Sequence, residues 1–247
     1  MLSHKIIFLI LGIIILAVVI YLNRSYAQIY SYNQSSYLIT SDIQRTYLLE
    51  GGKGERSMKY VALGDSLTYG LGASSYQGTF PYALSQKLLN KYKSVEVINL
   101  AVSGAVVDDL LSDQLPPAIK EQPDFVTILI GTNDVHGFAD EQKFRSSLEY
   151  IINQLKKNTK AEILLINIPY LGSDDLILFP HDKIVDSKIT EFNQMIQEVA
   201  NLTDVKYFDL YNSAKDYFEK DSELYSSDQF HPSDKGYILW GNLINAD

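Results

Sequence analysis

A long apolar run opens the chain, and short apolar runs alternating with helical periods follow it. Residues 6–22 are 17 positions without a charge. As a helix they would span about 25 Å, near the lower limit for crossing a membrane. A buried core helix fits less well, because core helices usually keep some polar positions. The pattern therefore predicts an N-terminal membrane helix.

This segment is either an uncleaved membrane anchor or a cleaved signal peptide. Ser25 and Ala27 are small residues at the −3 and −1 positions of a signal-peptidase site. The apolar run is longer than the usual signal core, and Arg24 beside the site is unusual for a cleaved signal. We favour an uncleaved single-pass anchor in residues 1–24, with a cleaved signal peptide and a secreted body as the alternative. The flanking charges are nearly balanced, and the short N-terminal tail favours an extracellular body.

Residues 25–58 separate this helix from the rest of the chain. They hold five of the 18 tyrosines and end in a glycine cluster at Gly51, Gly52 and Gly54. Such a cluster is typical of a flexible boundary, so we predict a stalk or linker here. Its tyrosines either sit in the interfacial aromatic belt or pack on the body, and both interpretations stay open.

From residue 59 onward, short apolar runs alternate with helical periods. The runs have the length and partial β-branching of buried parallel strands, and they occupy 59–63, 95–102, 125–130, 162–168 and 205–210. Apolar residues three and four apart, such as Phe144, Leu148 and Ile151, mark helices between them. Residues 59–247 are therefore predicted to form a three-layer α/β/α sandwich with a five-stranded parallel sheet.

Composition narrows the chemistry of this body. The chain has no cysteine, which excludes a disulfide scaffold, a thiolate zinc site and a cysteine nucleophile. Residues 1–58 carry five basic and three acidic side chains. Residues 59–247 therefore carry 16 basic and 27 acidic side chains and have a net charge of −11. Such an acidic surface disfavours a nucleic-acid partner.

Polar residues follow the predicted strands, at the sheet edge where doubly wound proteins bind ligands. Ser66 follows the first strand and can present its hydroxyl there, although a helix N-cap is its plain alternative. Gly104 and Asn133 follow the next two strands, where each is otherwise an ordinary turn residue. Asp228 and His231 lie three residues apart near the C-terminus, where a carboxylate can orient an imidazole.

Other polar residues are given structural interpretations. Asp65 is expected to accept a hydrogen bond that orients its loop, and His136 to be a partly exposed surface histidine. The acidic pairs 108–109 and 174–175 have no further ligand at metal-binding spacing, so solvated surface is expected. No metal or cofactor is predicted. The apolar stretch 170–180 is either an acyl-binding wall or lid, or an ordinary segment packed on the body.

Four motifs carry a resemblance to a known family. They read GDSL at 64–67, Gly104 after the second strand, GTND at 131–134 and DQFHP at 228–232. In this order, each at a predicted strand end or terminal turn, they resemble the SGNH (GDSL-type) hydrolase family. Within it, the chain looks similar to membrane-anchored lipase/esterase-like members of Gram-positive bacteria.

The resemblance implies a flavodoxin-like fold with strand order 2-1-3-4-5 and a role for each matched residue. Ser66 would be the nucleophile, His231 the base and Asp228 its partner. The oxyanion hole would be the N–H groups of Ser66 and Gly104 with the side chain of Asn133.

The implied activity is a serine esterase or lipase that cleaves a small-molecule or lipid ester through an acyl-enzyme. The alternatives are a deacetylase of acetylated cell-wall sugars and a non-catalytic membrane-tethered binding module. A flavodoxin-like nucleotide binder would need a phosphate-cradling loop, and the sequence has none. The sequence gives no indication of oligomeric state.

Overall fold

The predicted N-terminal helix is present and fully exposed. The computed structural model describes residues 4–35, 43–170 and 181–245, and the side chains of 6–24, 43–170 and 183–245. Helix α1 is His4–Ser35, and its segment Ile6–Arg24 has a mean hydropathy of 3.0 with none of it buried. Within the described part of the chain, it is the one helix long and apolar enough to cross a membrane.

Six strands form one mixed sheet in the order β1-β3-β2-β4-β5-β6. Their bounds are β1 Thr46–Leu49, β2 Ser57–Gly64, β3 Ser94–Asn99, β4 Phe125–Leu129, β5 Glu162–Ile166 and β6 Lys206–Phe208. The strands β2 to β6 are the five predicted ones, and they are parallel in the expected order. All of β4 is buried, as expected for a strand covered on both faces.

Helices cover both faces of this sheet. They are α2 Ser66–Tyr69, α3 Phe80–Leu88, α4 Val107–Asp109, α5 Leu115–Glu121, α6 Thr132–His136, α7 Glu141–Asn158, α8 His181–Thr203, α9 Leu210–Phe218 and α10 Asp234–Leu243. Helices α3, α9 and α10 pack together on one side, and α5, α7 and α8 on the other. The predicted stripe Phe144, Leu148 and Ile151 is buried in α7, and Ser233 caps α10 through its side chain.

The sixth strand corrects the predicted boundary between stalk and body. Strand β1 lies inside the segment 25–58 and pairs antiparallel with β3, with Thr46 opposite Ile98 and Leu49 opposite Val95. Ile43, before it, is also in the core. The sheet is therefore not purely parallel and five-stranded, and the folded body includes residues from Ile43 onward. The sequence signal was too short, because four residues in a polar, tyrosine-rich segment carry little periodicity.

One tyrosine of the predicted stalk belongs to the core. Tyr47 is buried, and its ring lies 4.6 Å from that of Tyr76 and 5.9 Å from that of Tyr82. These contacts fasten the antiparallel strand to the helical layer that contains α3. The other four stalk tyrosines lie outside the described side chains.

Candidate active site

Three of the predicted site residues form a hydrogen-bonded chain at the carboxyl edge of the sheet. Ser66 is the first residue of α2, directly after β2, and its Oγ lies 2.9 Å from Nε2 of His231. Nδ1 of His231 lies 2.6 Å from Oδ2 of Asp228. The imidazole is 1% exposed and Ser66 is 6% exposed. Both contacts are therefore largely shielded from water, which strengthens their electrostatic component.

The carboxylate of Asp228 is fixed by its own turn. Its Oδ1 accepts hydrogen bonds at 2.9 Å from the hydroxyl of Ser226 and from the backbone N–H groups of Phe230 and His231. Burial acts to raise the pKa of this carboxyl, but the hydrogen bond and charge of His231 and these N–H donors lower it to about 2. Asp228 is therefore ionised at neutral pH and available to hold one imidazole orientation.

The predicted oxyanion donors lie on loops that are tied together. Gly104 has φ +81°, a conformation that glycine adopts without strain. Asn133 donates one amide N–H to the carbonyl of Ala105 at 2.9 Å, which leaves its second N–H for a ligand. The backbone N–H groups of Ser66 and Gly104 donate to no other residue in the described part of the chain.

Two buried acids hold these loops in place by accepting hydrogen bonds from backbone N–H groups. Asp65 caps α2 by accepting from the N–H of Leu67 at 2.9 Å, which confirms its predicted role as a loop-orienting acceptor. Asp134 accepts from the N–H of Val107 with both oxygens at 3.2 Å, so it links α6 to the loop that carries Gly104.

The same two acids have raised pKa values. Burial, with a contribution from the charge of Asp134, raises the pKa of Asp65 to about 7. Burial likewise raises the pKa of Asp134 to about 6. The N–H of Leu67 and the hydroxyl of Thr132 act to lower the pKa of Asp65, but by less than burial raises it. These carboxyls therefore resist ionisation, in contrast to Asp228.

His136 lies close to the site and is half-buried. Its Nδ1 is 2.8 Å from the carbonyl of Thr132, and its ring packs edge-on against Phe230 at 5.7 Å. Burial lowers the pKa of this imidazole, so it is neutral at physiological pH. Its ring packs against Phe230, the residue before His231, and its intermediate exposure agrees with the predicted partly exposed histidine.

The acidic pair Asp108 and Asp109 forms contacts within the protein. Asp108 forms an ion pair with Lys143, and Asp109 accepts a hydrogen bond from the N–H of Val106. No group of three metal-ligating side chains occurs among the described residues. The pair 174–175 and most of the stretch 170–180 lie outside the described residues.

Two supporting residues had little or no signal in the sequence. Arg45 donates to the carbonyls of Asn99 at 3.1 Å and Ala101 at 2.5 Å, and it lies in what was predicted as stalk. Gln114 is buried, and its side-chain amide forms two hydrogen bonds with the backbone of Gly64. Its oxygen accepts from the N–H of Gly64 at 2.9 Å, and its nitrogen donates to the carbonyl of Gly64 at 2.8 Å. Asp134 did have a signal, because it directly follows Asn133 in the third motif.

A buried hydroxyl and imidazole in series with a half-buried carboxylate, at the carboxyl edge of a doubly wound sheet, is the kind of site that serine hydrolases use. The sequence profile of the GDSL-like lipase/acylhydrolase family matches residues 62–239. This match covers most of the chain, so the chain belongs to that family and is a carboxylic ester hydrolase of the GDSL class.

Curated relatives span nearly the same length. The chain is 29% identical over 215 residues to the spore germination lipase LipC of Bacillus licheniformis, a match that covers 77% of this chain and 96% of that protein. It is 25% identical over 214 residues to an acetylxylan esterase of Geobacillus stearothermophilus, covering 76% and 91%.

Solved structures show the same fold. A catalytic mutant of the acetylxylan esterase Axe2 from Geobacillus stearothermophilus has a TM-score of 0.62 at 21% identity, covering 79% of this chain and 94% of that one. A lipase/acylhydrolase from Enterococcus faecalis has a TM-score of 0.57 at 24% identity, covering 75% and 92%.

The buried acid Asp65 predicts a specific pH dependence of stability. Its pKa is raised from the ordinary 3.8 to about 7 in the folded state. Its stabilising contribution is therefore complete below pH 4 and is lost as pH rises through 7, by about 3–4 kcal/mol. We expect Asp65→Asn to gain in free energy of unfolding relative to wild type between pH 4 and pH 8, measured by urea unfolding in detergent.

The matched control is Asp216→Asn, whose exposed carboxylate on α9 forms a surface ion pair with Lys220. The difference in free energy of unfolding between this variant and wild type should stay constant between pH 4 and pH 8. A flat difference for Asp65→Asn as well would contradict the assigned burial effect.

Proposed function

We propose that this chain hydrolyses acyl esters through a covalent acyl-enzyme formed on Ser66. The observation that carries the proposal is the 2.9 Å contact between Ser66 Oγ and His231 Nε2, continued by the 2.6 Å contact to Asp228. His231 takes the hydroxyl proton as Ser66 Oγ bonds to the ester carbonyl carbon. The ionised Asp228 holds the imidazole and stabilises its cation.

The carbonyl oxygen becomes an oxyanion in this step, and three donors are available to hold it. They are the N–H groups of Ser66 and Gly104 and the second amide N–H of Asn133. Each such donor contributes roughly 3–4 kcal/mol to the transition state in comparable hydrolases. Their position on loops braced by Asp65 and Asp134 supports a preorganised pocket that needs little rearrangement during the reaction.

The reaction then proceeds in two stages, which are formation of the acyl-enzyme and its hydrolysis. The bond to the alkoxy group breaks, and the imidazolium of His231 gives its proton to the leaving alcohol. Water enters, His231 removes a proton from it, and its oxygen bonds to the acyl carbon. The bond between the acyl carbon and Ser66 Oγ breaks, and the imidazolium of His231 returns its proton to Oγ, which releases the carboxylic acid and restores the free hydroxyl.

Ser66→Ala tests the covalent step. We expect it to abolish labelling by a fluorophosphonate probe and to lower kcat for nitrophenyl esters by about 10⁴-fold or more. Ser146→Ala, at an exposed serine of α7, is the matched control and should keep both signals. Labelling that persists in a folded Ser66→Ala protein would overturn the hydrolase mechanism, and an unlabelled wild type would favour the non-catalytic module.

An acetylated sugar is the second candidate substrate, favoured by a cavity at the carboxyl edge of the sheet whose lining includes amide side chains and tyrosine rings. The cavity, about 260 Å³, lies where β5 and β6 end and is lined by amide, hydroxyl and carboxylate groups of Asn167, Thr190, Asn193, Gln194, Gln197, Tyr207, Asp209, Tyr211 and Asn212. Amides and tyrosine rings suit the hydroxyls and faces of a sugar. The relative from Geobacillus stearothermophilus is an acetylxylan esterase.

A substrate panel separates the two candidates. For the lipase-type function, kcat/KM should rise from the C2 to the longer nitrophenyl esters, because added methylenes bind apolar surface. The panel runs to C12 and includes acetylated oligosaccharides. A maximum at C2 with turnover of the acetylated sugars would establish the deacetylase in its place.

We place the body outside the cell, held by α1 as an uncleaved anchor. The exposed apolar length of Ile6–Arg24 supports a span. A Bacillus subtilis relative, 26% identical over 136 residues, is an uncharacterized lipoprotein, which supports an exported location. If the segment is a cleaved signal peptide instead, the body is also outside the cell but is not attached to the membrane.

Membrane fractionation tests the anchor. The intact chain should stay in the pellet after alkaline carbonate extraction, because an apolar span leaves the bilayer only with detergent. Protease added to intact cells should degrade the body. A truncated form in the medium would establish the cleaved signal peptide, and a body that survives while surface proteins are shaved would overturn the orientation.

A further inference from the structure

The chain from α1 enters the folded body at the edge that holds the candidate active site. Strand β1 is antiparallel to β3, with Thr46 opposite Ile98 near the carboxyl end of β3. Ile43, just before β1, is buried in the core. The carboxyl ends of parallel strands share one edge of a sheet, so the entry point lies on the same edge as Ser66. A parallel first strand would have placed it on the opposite edge.

Arg45 fastens this entry point to the catalytic loops. Its carbonyl accepts from the N–H of Asn99 at 2.8 Å, and its side chain donates to the carbonyls of Asn99 and Ala101. Its guanidinium lies 5.5 Å from the ring centre of Tyr69, at the end of the helix that Ser66 begins. The point at which the chain from α1 enters the body is therefore attached to the end of β3, to the loop that follows it and to α2.

The tether, residues 25–42 between the apolar span and the body, has a limited length. Helix α1 continues 11 residues beyond Arg24, to Ser35, which is about 16 Å of helix. Seven residues then separate Ser35 from Ile43, and the Cα atoms of these two residues can lie at most about 29 Å apart. The edge that holds the candidate active site is the one at which this tether joins the body.

Exposed apolar side chains lie on this same edge. Phe138, two residues after α6, is 71% exposed, Val102 after β3 is 44% exposed, and Ile184 near the start of α8 is 46% exposed. Phe138 also has φ +51°, a region that bulky residues rarely adopt. The backbone therefore holds an aromatic ring in water at a conformational cost, which a contact with apolar material would offset.

We propose that the carboxyl edge of the sheet faces the bilayer that holds α1 and receives an acyl ester presented by a lipid at that surface. This inference rests on the proposed anchor and esterase function. The occupant is a lipid surface with few anionic headgroups, because the body from Ile43 onward carries a net charge of −10 and is repelled by negative lipids. The apolar residues and the tether supply the attraction.

The absence of cysteine makes the orientation directly measurable. Single cysteines at Ile184 and Leu202 would each give a uniquely labelled full-length chain. Both residues are exposed and apolar on α8, at opposite edges of the sheet, about 27 Å apart along the helix axis. Each variant would carry an environment-sensitive dye and be reconstituted in phosphatidylcholine vesicles that contain spin-labelled lipid.

Quenching by the spin-labelled lipid should be several-fold stronger for the dye at position 184 than for the dye at 202. A dye at Phe138→Cys should behave like 184, and one at Lys160→Cys, just before β5, like 202. Equal quenching at both edges, or the reverse order, overturns the proposed orientation.

A kinetic comparison tests the substrate. Phe138→Glu should lower the ratio of hydrolysis of a vesicle-embedded acyl ester to that of soluble nitrophenyl acetate several-fold, whereas Leu202→Glu should leave this ratio unchanged. An unchanged ratio for Phe138→Glu would overturn the lipid surface as the source of substrate. Fluorophosphonate labelling of Ser66 and the mass of the intact chain, measured on the same vesicles, report separately whether the esterase and the anchor hold.

Discussion

The turn between β2 and α2 is the constraint on which the candidate site depends. Gly64 has φ +156°, and a Cβ there would lie 2.1 Å from the carbonyl oxygen of Leu129 and 2.3 Å from the hydroxyl of Thr68. Only glycine fits where these backbones approach so closely. Gln114 holds both polar groups of Gly64. Ser66 therefore leaves the sheet at a fixed angle, with its hydroxyl directed at His231.

Different electrostatic environments then separate the roles of Asp228, Asp65 and Asp134. Asp228 accepts three N–H or O–H donors besides the imidazole, so its pKa is about 2 and it carries a charge. Asp65 and Asp134 have fewer donors and more burial, which raises their pKa values to about 7 and about 6. One acid can stabilise a developing cation, whereas the other two act as braces that hold the loops in place.

The antiparallel edge strand relates the candidate site to the apolar helix α1. Parallel strands alone would define a ligand-binding edge but would not say which way that edge faces. Because β1 runs against β3, the segment that follows α1 reaches the body beside Ala101 and Tyr69. A single strand direction thus relates the edge of the candidate site to the segment that follows α1.

The sequence by itself determined the apolar helix, the five parallel strands, the packed faces of the helices and the motif residues Ser66, His231 and Asp228 that the fold brings together. Each rests on a local pattern: a periodicity, a strand end or a short motif. Strand β1, Arg45, Gln114 and the contact from Asp134 to Val107 were decided only by the tertiary structure. Their partners lie 27 to 56 residues away in the chain. Pairings over such separations depend on which segments the fold brings together, and no local pattern records that.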